Sequence, residues 1–139
     1  MRKIVCATAG VIGSGAAYLL GGFDSTLTSL LLFMAADYIT GIIVAGVFHK
    51  SNKTDSGSLK SVAGFKGLAK KCTILLFVML AHRLDMETGE NMFRDGVCFA
   101  FMANELISIV ENAGLMGIKL PAIVERGIDI LTQKGETIK

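Results

Sequence analysis

The chain has 139 residues, 52% of them hydrophobic, with 16 glycines, one proline and a mean hydropathy of +0.57. That is too apolar for an ordinary soluble domain of this size, and residues 1–139 read as a single all-α integral membrane domain. The formal net charge of +2 is small, so the information lies in how charge is distributed along the chain.

The first apolar segment covers residues 3–22. Met1-Arg2-Lys3 ahead of it is the kind of start a signal peptide has. The run is rich in Gly and Ala rather than Leu, and no convincing small-x-small cleavage site follows, so a retained membrane helix is expected. Within it, Gly10 to Ser14 and Gly13 to Ala17 keep the small-xxx-small spacing that lets two helices approach closely. The connector Gly22-Phe23-Asp24-Ser25 predicts a tight hairpin into the second segment, residues 26–48. A bilayer core of about 30 Å takes roughly 20 residues at about 1.5 Å each, and both segments meet that length. Asp37 lies at the middle of the second one.

Residues 58–69 read as an amphipathic helix lying on the membrane face: Val62, Phe65, Leu68 and Ala69 share one side, with Lys60, Lys66, Lys70 and Lys71 elsewhere. The third hydrophobic candidate, residues 70–84, is short, because its uninterrupted apolar run covers only residues 72–81. Snorkelling Lys and Arg at its ends and local bilayer thinning would let it span. The fourth candidate is residues 95–117. After Pro121 a second amphipathic helix is expected over 121–133, with Ile123, Val124, Ile128 and Leu131 opposite Glu125, Arg126 and Asp129, and residues 134–139 are expected to fray. The architecture is therefore four hydrophobic helices, three or four of them spanning, with short amphipathic cytoplasmic helices.

Orientation follows from the cations. The stretch between the second and third candidates holds Lys50, Lys53, Lys60, Lys66, Lys70 and Lys71 against one acid, Asp55, and so belongs in the cytoplasm. The connectors around Asp24 and around Asp85, Glu87 and Glu90 belong outside. With both termini inside, only Arg83 and Arg94 of the fourteen cations remain outside. The expected placement is multi-pass, with both termini in the cytoplasm.

The fourth segment is energetically anomalous. It carries Asn104, Glu105, Ser108, Glu111 and Asn112 at helical spacing, a polar stripe on a membrane-length element. A charged side chain at a helix centre costs about 2.5 to 3.5 kcal/mol, whereas each large apolar residue returns about 0.3 to 0.6 kcal/mol. Asp37, Asn104, Glu105, Ser108, Glu111 and Asn112 are therefore the candidate functional residues, facing subunit contacts or a lumen, while Lys60, Lys66, Lys70 and Lys71 anchor the cytoplasmic face. Three explanations stand at this point: interhelical glue, the lining of a water-filled path shared between copies, or a relay for protons or a bound cation. Four short helices leave little room for a path within one chain, so the stripe is expected to be satisfied by self-association.

No catalytic set, metal site or cofactor motif is expected. Cys6, Cys72 and Cys98 are odd in number, lack ligand spacing and read as buried free thiols. His49 and His82 are not at ligand spacing from any partner. Gly57, Gly64 and Gly67 precede Lys70 and Lys71 without the Gly-Lys-Ser/Thr ending of a phosphate loop. The lysine cluster sits between apolar helices, so lipid head groups rather than nucleic acid are its expected partner.

Three runs in order, Asp37-Tyr38-Ile39-Thr40-Gly41, then Ser61 through Lys71, then Asn104 through Asn112 followed by Gly117 and Pro121, are similar to those of the phage lysis and toxin-secretion holins of Gram-positive bacteria and their phages. The resemblance covers about residues 27–131. It implies a small non-enzymatic protein that oligomerises in the bacterial cytoplasmic membrane and opens timed lesions, releasing an endolysin or a large toxin that it need not touch. The alternative is a small homo-oligomeric ion channel or proton-coupled exporter.

Overall fold

Local chemistry sets the helix boundaries in the computed structural model, which describes residues 1–137. The chain forms α1 (Arg2–Leu19), α2 (Ser25–Gly46), α3 (Ser61–Thr88), α4 (Phe93–Leu115) and α5 (Ala122–Thr137), with no strand among the described residues. Asp24 starts α2 by accepting a hydrogen bond from the Leu27 N–H at 2.9 Å, satisfying one of the unpaired donors of the first turn. Gly89 ends α3 in the left-handed conformation at φ 73°. The start of α4 is capped from another helix: the Asp85 carboxylate accepts from the Phe93 and Arg94 N–H groups, each at 2.9 Å. Pro121 immediately precedes α5, as its fixed φ favours.

Where the structure departs from the sequence expectation, the causes are specific. Residues expected as an amphipathic piece (58–69) and a short span (70–84) form one continuous 28-residue helix, α3. No proline interrupts it, and Gly64 and Gly67 lie within the helix against Tyr38 of α2, whose hydroxyl donates to the Gly64 carbonyl at 3.4 Å. Of the four hydrophobic helices expected, only α2 is long and apolar enough to cross a membrane on length and composition alone. α1 includes Arg2, Lys3 and three glycines, α3 carries Lys66, Lys70 and Lys71, and α4 carries Glu105 and Glu111. Cys98 is buried as expected, but Cys6 and Cys72 are exposed on outward faces of α1 and α3. α5 runs through Thr137 instead of fraying from residue 134, and the expected cytoplasmic place of Lys139 lies outside the described residues.

The core is built by α2, α3 and α4: Leu27, Leu30 and Met34 meet Ile74 and Val78, and Cys98 and Met102 close the layer. The spacing of three and four that brings these residues inward continues into polar ones, so Asp37, Asp85, Arg94, Glu105 and Asn112 are buried on the same inner faces. Polar clusters therefore cap the apolar core at both ends. Asp24 lies beside Arg94 at one end and Thr40 beside Asn112 towards the other, so α2 and α4 run in the same direction and α3 runs against them. The outer faces carry large apolar side chains: Leu32, Ile39, Phe77, Leu80 and Phe99 are each more than half exposed. A water-soluble bundle does not present such a girdle, whereas a lipid-facing one does. No residue of α1 is buried.

At the end of the bundle holding the short turns, Arg94 uses all five of its guanidinium donors. Nε donates to the Leu20 carbonyl at 2.6 Å and Nη2 to the Gly22 carbonyl at 3.0 Å. Nη1 and Nη2 grip the Asp24 carboxylate at 2.7 and 3.0 Å, and Nη1 also reaches Asp95 at 3.1 Å. Gly21, at φ 84°, makes this approach possible, because a Cβ there would lie 2.8 Å from both Arg94 Nε and His82 Nδ1. The Arg94 hydrogen bonds hold the Asp24 carboxyl down to about 2 from its ordinary 3.8. Because the folded value is the lower one, this contribution is full above about pH 4 and is lost as the pH falls towards 2. Asp24→Asn is expected to remove that acid-dependent part of stability, measured as the difference between wild-type and variant melting curves in detergent across the window; superimposable pH profiles would count against the clamp.

Candidate functional site

At the opposite end of the core, one ammonium joins three helices. Lys71 Nζ of α3 donates to Asp37 Oδ2 of α2 at 2.7 Å and to Glu105 Oε2 of α4 at 2.6 Å, and the three side chains are only 12%, 10% and 6% exposed. Each member reaches the site by helical register: Asp37 follows Met34 by three residues, Glu105 follows Met102 by three, and Lys71 precedes Ile74 by three. Asn112, two turns beyond Glu105, extends the network: its Nδ2 donates to Thr40 Oγ1 at 2.9 Å and lies 3.4 Å from both the backbone oxygen and Oδ1 of Asp37. Among the described residues, no buried side-chain nitrogen or oxygen lacks a partner. With all three groups ionised, the triad carries one net negative charge.

The sequence-derived candidates thus divide into two groups. Asp37, Glu105 and Asn112 come together inside the bundle with Lys71, which is drawn off the cytoplasmic face where it was expected and into the core. For these residues the cost of polarity is met within one chain, because carboxylates on α2 and α4 find a cation on α3; a second copy is not needed for that. Asn104 and Glu111 remain exposed and Ser108 half-buried, along a cleft of about 770 Å³ between α3 and α4 whose inner wall includes the triad. Lys66 and Lys70 line the same cleft and Lys60 immediately precedes α3; all three are exposed.

Asp24, Asp85 and Arg94 were not singled out by the sequence. The available signal was register, since Arg94 lies four residues before Cys98 and Asp85 four after Ala81, on the stripes that the core occupies. Among the described residues no group of three or more His, Cys, Asp or Glu is arranged to hold a metal ion.

Comparison with known proteins adds a family. Residues 14–133 match the bacteriophage holin family. An uncharacterised protein of Listeria monocytogenes is 42% identical over 128 residues, covering 90% of this chain and 86% of that one. An uncharacterised protein of Halalkalibacterium halodurans is 34% identical over the full length of both chains. A probable holin of Bacillus phage phi105 is 28% identical over 116 residues, 83% of this chain and 79% of that one. No solved structure matches.

The triad predicts an asymmetric mutational response. Lys71→Met leaves two facing carboxylates without their cation and is expected to destabilise the bundle by about 3 to 5 kcal/mol. Adding Asp37→Leu and Glu105→Leu is expected to recover most of that loss, since a well-packed apolar replacement of a buried ion cluster is often neutral. Thermal unfolding of the detergent-solubilised variants measures both; a triple variant no more stable than Lys71→Met would contradict the arrangement.

Proposed function

Because this chain belongs to the bacteriophage holin family, we propose that it permeabilises the bacterial cytoplasmic membrane by self-assembling into lesions that open at a set time and let an endolysin, or a large toxin, leave the cell. In this reading α1 to α4 all cross the membrane. The loop between α2 and α3, both chain ends and α5 lie in the cytoplasm, and the two short turns at the Arg94 clamp lie outside. The apolar girdle supports the membrane placement, and the lysines of the α2 to α3 connection support the orientation.

The observation that carries the reading is the exposed polar flank of α4. Asn104 and Glu111 stay exposed and Ser108 half-buried on α4, although Asp37, Glu105 and Asn112 are satisfied inside the bundle. In dilute copies this flank is a standing cost, because acyl chains offer it no hydrogen bonds. In a ring, copies contact one another through apolar faces and turn their polar clefts towards shared water. α1 is the natural contact, since none of its residues is buried and its Gly10, Gly13, Ser14 and Ala17 allow close helix approach. Rising copy number then drives assembly by mass action.

Asn104→Leu with Glu111→Leu, both outside the triad, is the direct test of the stripe. Induced with an endolysin, wild-type protein is expected to give an abrupt fall in turbidity, and the double variant to accumulate in the membrane with lysis delayed several-fold or lost. Unchanged timing would remove the stripe from the lesion. Ion leakage without release of a cytoplasmic enzyme would instead identify a small ion channel or proton-coupled exporter.

A further inference from the structure

The cleft between α3 and α4 is graded along its length. Near the start of α3 it is lined by Lys53, Lys66 and Lys70 against a single acid, Glu111. Towards the middle of the helices it is lined by Ile74, Phe77 and Phe101, with the two aromatic rings 6.0 Å apart and tilted by 34°. Lys66 and Lys70 lie one helical turn apart, and neither forms an ion pair among the described residues. Lys71, at the inner wall, is already held by two carboxylates and adds no free positive charge. Outside the triad, three lysines against one glutamate leave an excess of two positive charges at the mouth, above a hydrocarbon floor, and the net negative charge of the triad at the inner wall brings the cleft as a whole to one positive charge.

The geometry points to a binding site for an anionic glycerophospholipid of the phosphatidylglycerol type, its phosphodiester between Lys66 and Lys70 and an acyl chain laid along Ile74 and across Phe77 and Phe101. Ser108 and Glu111, across the cleft on α4, are placed to accept hydrogen bonds from the head-group hydroxyls. The positive excess favours a net anion over a zwitterion, and about 770 Å³ accommodates a head group with the upper part of a chain. Two copies meeting cleft to cleft would set their lysines against each other, so a second copy is the poorer occupant. This inference rests on the membrane placement of the chain but not on lesion formation, so each can fail without the other.

The test uses purified full-length protein in detergent, exposed separately to phosphatidylglycerol, phosphatidylethanolamine and phosphatidylcholine, with retained lipid counted by native mass spectrometry. One phosphatidylglycerol per chain is expected, retained about tenfold more than either zwitterionic lipid. Lys66→Gln with Lys70→Gln is expected to abolish the preference at unchanged helical content by circular dichroism, while Lys119→Gln with Lys134→Gln leaves it intact. Phe77→Ala is expected to lower total retention and keep the preference. Chain-free glycerophosphoglycerol is expected not to displace the lipid; displacement at equal concentration would overturn the acyl part of the site. Equal retention of all three lipids, or equal loss in both lysine pairs, would overturn the proposal. So would disulfide cross-linking between copies of a Ser108→Cys variant, made with Cys6, Cys72 and Cys98 replaced by Ser, that persists in excess phosphatidylglycerol.

Discussion

Lys71 sets the terms for the rest of the molecule, because a single ammonium placed between Asp37 and Glu105 links α2, α3 and α4 at 2.7 and 2.6 Å. In lipid, apolar helices gain little from meeting one another, since the surrounding chains are as hydrophobic as their side chains. Leu27, Leu30 and Val78 pack densely, yet comparable contacts with lipid tails are available to them. A buried ion network differs in kind, because breaking it leaves charge with no alternative partner. The Arg94 clamp does the same at the opposite end, tying the first turn and the start of α2 to the start of α4. The bundle is held by polar chemistry at its two ends and filled by apolar packing between.

Sequence periodicity reveals the helices more readily than the partnerships between them. The turn at Gly22-Phe23-Asp24-Ser25, the membrane-length α2 and the start of α5 after Pro121 follow from local signals, but the expected tight hairpin does not form, because α1 does not fold back onto α2 and touches only α3. The role of Lys71 does not follow from such signals, because each carboxylate partner lies 34 residues away, one upstream and one downstream. Read locally, Lys66, Lys70 and Lys71 form one basic face, and nothing in the run separates the lysine that turns inward from the two that stay outside. The same blindness split α3 in two: an interior cation suggests a helix on the membrane surface until its counter-charges are known.

The polar stripe of α4 was visible as a set but not as two subsets. Glu105 and Asn112 sit seven residues apart on the inner face, whereas Asn104, Ser108 and Glu111 are rotated towards the cleft. Helical spacing placed all five on one side; the positions of α2 and α3 divide them. That division separates a role in holding the chain together from a role at its surface, and the two belong to different residues.

The length of α3 has a consequence for how copies can rearrange. Sliding it by one turn along its axis would bring Gly67 or Leu75 opposite the two carboxylates in place of Lys71, and neither carries charge. The helix therefore has one permitted register against its neighbours, and small axial adjustments have no stable stopping point. Displacing α3 by a turn within the bundle therefore costs both ion pairs at once and leaves two carboxylates facing each other without a cation.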